Sequence, residues 1–261
     1  MDELQISLIQ TTIVWENKLQ NLKHYENLIE KVPSGTDIIV LPEMFSTGFS
    51  MNAAALAELP GERTIGTLID WAEKSKAALT GSFISRDERG NFFNRGFFIT
   101  PEEEVFFYDK RHLFRPGEEH KRFLPGNKQP VIPYKGWNIN LIICYDLRFP
   151  VWIRNVANKY DLLICTANWP DARKEVWRIL LRARAIENCC YVCGLNRIGK
   201  DGNGINYTGQ SGIIDYKGSV LIEAEENKES IISKTLSKSS LIEFREKFPV
   251  WKDADRFDIY C

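Results

Sequence analysis

Short apolar runs that end in a reactive polar residue constrain this chain more than any other feature. The run Leu141-Ile142-Ile143 ends at Cys144, which opens a polar turn, Tyr145-Asp146-Leu147-Arg148-Phe149-Pro150. The run at 37–41 ends at Pro42 and Glu43, and the run at 104–108 ends at Asp109 and Lys110. Such runs read as strands of a buried sheet. A cysteine on a turn between a strand and a helix start is expected at an exposed sheet edge. The helix N-terminus beyond it supplies unpaired N–H groups and partial positive charge, and both favour the nucleophilic thiolate.

The remaining periodicity predicts alternating strands and helices. Residues 5–10 read as a strand and 16–31 as a helix with an apolar stripe. A second helix is expected at 64–78, a strand at 79–85, a hairpin turn at 87–91 and a returning strand at 92–100. The strand 137–143 precedes Cys144. It is followed by a helix at 151–159, a strand at 161–166, a long helix at 174–188 and a strand at 190–196. Strands at 212–215 and 219–224 flank a turn. A last strand at 230–233 precedes a helix at 239–247. Hairpins interrupting a strand–helix alternation predict a mixed sheet in a layered α/β protein, with two stacked sheets and helices outside. No repeat or linker divides the 261 residues, so one domain over 1–261 is expected, with a C-terminal tail from about 240.

A formal net charge of −1 leaves no basic footprint for nucleic acid and no polybasic membrane patch. No apolar stretch approaches the roughly 20 residues of a membrane span. The start, Met1-Asp2-Glu3-Leu4, does not read as a secretory signal. The six cysteines are Cys144, Cys165, Cys189, Cys190, Cys193 and Cys261. Their uneven placement predicts a reducing cytoplasm rather than a disulfide framework. Cys189-Cys190-x-x-Cys193 contains a redox or zinc spacing, but no second ligand pair lies nearby, and a buried strand runs through it. Core packing is the expectation.

Glu43, Lys110 and Cys144 each follow a predicted strand, so they gather at one rim of the sheet, where ligands bind. Taken singly, they would read as a helix-start carboxylate, a solvated lysine and a core thiol. Together they are a base, an oxyanion stabiliser and a nucleophile for acyl transfer. Leu41-Pro42-Glu43-Met44-Phe45, Tyr108-Asp109-Lys110-Arg111-His112-Leu113-Phe114 and Cys144-Tyr145-Asp146-Leu147-Arg148-Phe149-Pro150 resemble the three signatures of the nitrilase superfamily of carbon–nitrogen hydrolases. Thr166-Ala167-Asn168-Trp169-Pro170, 182–188 and 207–211 extend the resemblance over nearly the whole chain. The Cys-Tyr-Asp-Leu-Arg-Phe-Pro turn, the Asn-Trp-Pro step and 245–249 look most like the omega-amidase branch.

The resemblance implies a four-layer αββα sandwich of two mixed sheets that pairs into a homodimer and uses no metal or organic cofactor. It implies a small amide substrate, the monoamide of a 2-oxo dicarboxylic acid, hydrolysed through a thioester on Cys144. Another small amide, a nitrile or an N-carbamoyl compound is the alternative within the family, and a non-catalytic binding protein on the same fold is the alternative of another class. Glu43 would be the general acid–base. Lys110 and the backbone N–H of Tyr145 would hold the oxyanion. A second glutamate supports the lysine, with Glu118 and Glu119 competing and Glu119 favoured by its spacing to Pro125-Gly126. The free carboxylate of such a substrate needs a cation. Arg148 is the first candidate and Arg173 the second, with Trp169 as an apolar wall. Arg148 could equally pair with Asp146. His112 on the lysine turn is expected to be structural, since Glu43 already supplies a base.

Overall fold

The computed structural model describes residues 2–255 and 257–259. Met1 and Cys261, which figured in the expectations above, lie outside the described residues. The first half contains β1 (Glu3–Gln10), α1 (Lys18–Ile29), β2 (Ile38–Val40), α2 (Ala53–Leu56), α3 (Arg63–Ser75), β3 (Ala78–Arg86), β4 (Phe92–Ile99) and β5 (Val105–Asp109). The second contains β6 (Val131–Tyr134), β7 (Trp137–Ile143), β8 (Leu162–Ala167), α4 (Lys174–Asn188), β9 (Tyr191–Asn196), β10 (Ile198–Lys200) and β11 (Asn206–Thr208). It closes with β12 (Gly212–Ile214), β13 (Val220–Glu223), β14 (Ser230–Ser237) and α5 (Lys238–Lys247).

Two six-stranded mixed sheets carry the fold, in the orders β14-β1-β2-β3-β4-β5 and β13-β12-β9-β8-β7-β6. Strands β1, β2 and β3 run parallel at the centre of the first sheet, and β7, β8 and β9 do so in the second. Side chains alternate across each sheet. Ile38 and Val40 of β2 therefore join Leu4, Leu8, Ile139 and Ile143 in the core between the sheets. Ile39 turns the other way, into the layer with Leu22 and Tyr25 of α1 and Leu68 and Trp71 of α3. On the far side, Trp177, Leu181 and Ala185 of α4 cover the second sheet. The expected αββα sandwich of two mixed sheets is the observed architecture.

The expected helix at 151–159 does not form. Ala157 and Asn158 have φ of 53° and 54°, and only a single 3₁₀ turn, Val156–Asn158, remains. The side chain of Asn155 replaces helical bonding there: its Nδ2 donates to the carbonyls of Tyr160 and Asn188, and its Oδ1 accepts from Tyr160 N–H. The helix expected straight after Cys144 is likewise a five-residue 3₁₀ turn, Cys144–Arg148. The strand expected at 230–233 runs on to Ser237 because β1 pairs with it along its full length. Cys190 and Cys193 are buried core residues, as expected. Among the described residues no three His, Cys, Asp or Glu side chains converge as metal ligands, and no helix is long and apolar enough to cross a membrane.

Gly194 of β9 leaves the space that α4 occupies. A Cβ there would lie 2.5 Å from Leu181 and 2.9 Å from Trp177. Gly194→Ala is expected to destabilise the fold by about 1–3 kcal/mol through overpacking. Urea denaturation of the variant checks this, and unchanged stability would mean that the α4–β9 contact yields freely.

Candidate active site

The rim of both sheets supplies the site. Glu43 lies just past β2, where Leu41 N–H still bonds Thr80 O at 2.7 Å. Pro42 has no N–H to give, its carbonyl accepts Ser82 N–H at 3.4 Å, and Met44 N–H turns to Ser82 Oγ at 2.9 Å. Lys110 directly follows β5, its N–H on Asn94 O at 3.0 Å. Cys144 directly follows β7, and Asn168 directly follows β8. The first pair comes from one sheet and the second from the other, so the site exists only because the sheets stack.

Glu43, Lys110 and Glu119 are fully buried together. Lys110 Nζ lies 2.8 Å from Glu43 Oε1 and 3.0 Å from Glu119 Oε2. Asn94 Nδ2 donates to both carboxylates, at 2.8 Å to Glu43 and 2.9 Å to Glu119. Glu43 Oε2 accepts the backbone N–H of Asn168 at 2.8 Å. Burial alone would drive the proton off Lys110, but the Glu119 and Glu43 carboxylates outweigh it, and its pKa is raised. Burial, with the Glu43 charge beside it, pushes Glu119 up against the pull of Lys110. The choice between the two glutamates is geometric: Glu119 is buried on Lys110, whereas Glu118 is exposed and pairs with Lys121.

Cys144 is half-buried, with a left-handed φ of 44°. Its Sγ lies 3.8 Å from Asn168 O. Arg184 of α4 holds the turn from behind, donating twice to Leu147 O at 3.0 and 2.7 Å. The expectation that the turn favours the thiolate is corrected here. Burial and the Glu43 charge push the Cys144 thiol up, and Lys110 offsets this only in part. A 3₁₀ turn of this length has little of the dipole that an α-helix would bring. The thiol is therefore favoured over the thiolate in this site.

A cavity of ≈ 270 Å³ opens above Cys144 and Lys110. Tyr145, Arg148, Trp169 and Arg173 all line it. Arg148 stacks its guanidinium 5.1 Å over the Trp169 ring, and Arg173 lies 5.4 Å over Phe114. The alternative pairing of Arg148 with Asp146 is not observed, because Asp146 is saturated by Tyr108, His112 and Ile143. His112 is structural in this sense, bound to Asp146 and stacked on Phe149.

Several site residues escaped the sequence reading. Asn94 bridges both glutamates; its signal was a polar residue inside the aromatic strand Phe92-Phe93-Asn94-Arg95-Gly96-Phe97-Phe98. Asn168 stood in a quoted motif without a role. The β10–β11 hairpin, which brings Asp201, Asn203 and Tyr207 to the cavity, was not predicted.

A buried carboxylate–lysine–carboxylate trio thus stands beside a cysteine at the rim of two stacked sheets, and comparison with known proteins gives the family. The sequence model of the carbon-nitrogen hydrolase family matches residues 5–246. Omega-amidase YafV of Escherichia coli (strain K12) is 44% identical over 260 residues, covering 100% of both chains. The 2-oxoglutaramate amidase of Bacillus subtilis (strain 168) is 33% identical, covering 98% of each. XC1258 from Xanthomonas campestris, a CN-hydrolase superfamily protein solved with an arsenic adduct in its active site, superposes with a TM-score of 0.97 at 40% identity over the whole of both chains. The chain belongs to the carbon-nitrogen hydrolase family.

Lys110→Ala strands two buried carboxylates and is expected to cost about 3–5 kcal/mol of stability. Glu119→Gln leaves a neutral ion pair and is expected to cost clearly less. Urea denaturation of the two variants side by side checks the order; equal losses would mean that the trio is not held by its charge balance.

Proposed function

We propose that the protein is an omega-amidase. It hydrolyses the terminal amide of 2-oxo dicarboxylic acid monoamides, such as 2-oxoglutaramate and 2-oxosuccinamate, to the 2-oxo acid and ammonia. The observation that carries this reading is the cavity above Cys144. Its walls hold Arg148 and Arg173, and among the described residues neither forms an ion pair with a protein carboxylate. Two unpaired guanidiniums flanking a nucleophile suit a substrate with a free carboxylate at the end opposite its amide. The full-length identity to an omega-amidase and to a 2-oxoglutaramate amidase supports the same substrate class.

In this reading Glu43 takes the proton of the Cys144 thiol, whose raised pKa makes such a base necessary. Sγ then bonds to the amide carbon, and the carbonyl oxygen becomes an oxyanion. Lys110 Nζ lies within bonding distance of Glu43 Oε1 and of both Glu119 oxygens; one N–H shared between the two Glu119 oxygens leaves a third for that oxyanion. The Tyr145 backbone N–H is the second donor. One oxyanion donor contributes about 3–4 kcal/mol to the barrier. Glu43 passes its proton to the amide nitrogen, the C–N bond breaks, and ammonia leaves behind a thioester. Glu43 next deprotonates a water that attacks the thioester carbon. The C–S bond breaks, and the proton returns to sulfur. Glu119 keeps Lys110 charged and in place throughout. Trp169 forms an apolar wall beside the substrate chain, under the Arg148 guanidinium.

We further propose a cytoplasmic homodimer. The five described cysteines are all free thiols. Ile179 and Ile186 of α4 are 63% and 52% exposed, with Val220 of β13 beside them at 47%. That apolar face suits a second copy of the chain, and sedimentation equilibrium distinguishes dimer from monomer.

The primary test is ammonia release from 2-oxoglutaramate and from hexanamide. Wild type is expected to prefer 2-oxoglutaramate strongly, Cys144→Ala to release nothing, and Glu43→Gln to lose about 10²–10⁴-fold. Arg148→Ala or Arg173→Ala is expected to raise KM for the acidic substrate and to leave hexanamide unaffected. Cys144-dependent release from hexanamide alone would keep the mechanism and discard the substrate class.

A further inference from the structure

Asp146 is fully buried two residues after Cys144, yet it takes no part in the chemistry proposed above. Its Oδ2 accepts the Tyr108 hydroxyl at 2.8 Å and Ile143 N–H at 3.1 Å. Its Oδ1 accepts His112 N–H at 2.8 Å and lies 2.8 Å from His112 Nδ1. The Tyr108 oxygen already accepts from Trp152 Nε1 at 3.0 Å and Arg111 N–H at 3.3 Å, so its own proton is directed onto Asp146. An imidazole nitrogen facing a carboxylate carries the proton. Every partner of Asp146 is therefore a donor, and the position calls for a group that only accepts.

The partners bracket the reactive residues. Tyr108 near the end of β5 and His112 just beyond it stand two residues before and after Lys110, on the side of the first sheet. Ile143 immediately precedes Cys144, at the end of β7 in the second. The His112 ring stacks on Phe149, 3.7 Å between centroids and 5° from parallel, which closes the far end of the nucleophile turn onto the same segment. One buried carboxylate thus ties the lysine segment of one sheet to the cysteine turn of the other. Its bond to Ile143 N–H lies directly before Cys144, whose left-handed φ of 44° is uncommon for a non-glycine residue.

We propose that Asp146 is a positioning residue that sets the separation of Cys144 from Lys110. The inference rests on reading those two as nucleophile and oxyanion stabiliser. Asp146→Asn conserves size but presents an NH₂ group to two donors whichever way the amide is turned: Ile143 and Tyr108, or the two nitrogens of His112. Misplacing reacting groups by about 1 Å costs about 100-fold in rate. A fall of that order in kcat is expected, with KM nearly unchanged because the cavity walls are untouched. Tyr108→Phe removes one donor and leaves the carboxylate, so it should lower kcat less, again without moving KM. It serves as the test if Asp146→Asn fails to fold in urea titration.

A second readout does not depend on turnover. Alkylation of Cys144 by iodoacetamide, followed by mass spectrometry of the Cys144 peptide, is expected to slow in Asp146→Asn as the thiol loses the nearby Lys110 charge. If Cys144→Ala retains ammonia release, the catalytic reading fails, and the alkylation rate alone judges the tie. A folded Asp146→Asn protein with wild-type kcat, with a KM change that accounts for its loss, or with a wild-type alkylation rate would overturn the proposal.

Discussion

Lys110 sits without solvent contact between two carboxylates, and the rest of the site is arranged around that charge. An ammonium in such a place is tolerable only when its desolvation is offset at close range. Glu43 and Glu119 provide the offset, and Asn94 keeps the two acids from meeting unshielded. The balance is asymmetric, with two carboxylates to one ammonium. Burial first, and then the Glu43 charge, push both Glu119 and the Cys144 thiol up, and Lys110 offsets this only in part. A low-dielectric, pre-charged pocket of this kind is costly to assemble, but it needs little rearrangement when negative charge develops on a substrate oxygen.

Stacked sheets make that pocket possible. Parallel central strands bring Glu43 to the rim from one sheet and Cys144 and Asn168 from the other, and the antiparallel β5 delivers Lys110 to the same place. The contacts that cross between sheets are short and specific. Asn168 N–H reaches Glu43, and Asp146 gathers Tyr108, His112 and Ile143. The apolar core between the layers sets their spacing to within side-chain packing. These few polar bonds then join the two sheets at the rim where Glu43, Lys110 and Cys144 meet.

Outside the charged trio the cavity changes character. Trp169 and Phe114 form flat apolar walls, and each carries an arginine stacked on its face. Stacking holds a guanidinium in position without using its N–H groups, which remain for a ligand. The site thus combines a buried carboxylate–lysine–carboxylate trio and a thiol at its floor with two guanidiniums on its walls, the arrangement on which the proposed acidic amide substrate rests.

Much of this was legible in the sequence. The strand-end positions of Glu43, Lys110 and Cys144, the long helix Lys174–Asn188 and the two-sheet layering follow from local apolar patterning and motif spacing, and all are observed. The expected helix at 151–159 failed because Asn155 bonds its own loop, a choice invisible to periodicity. The family spacing to Pro125-Gly126 favoured Glu119 over Glu118, as observed, but composition alone does not separate adjacent carboxylates that differ only in which one the 3₁₀ turn buries. The protonation of Cys144 was misjudged for the same reason: a strand–turn motif predicts a dipole, whereas burial and the charge of Glu43, 101 residues away in sequence, decide the pKa. Sequence by itself determined which chemistries stand at strand ends, because side-chain identity and local periodicity are one-dimensional. Only the tertiary structure decided which acid holds the lysine, what fixes the cysteine turn and how the charges balance, because desolvation and Coulomb energy depend on distances that exist only once the sheets are stacked.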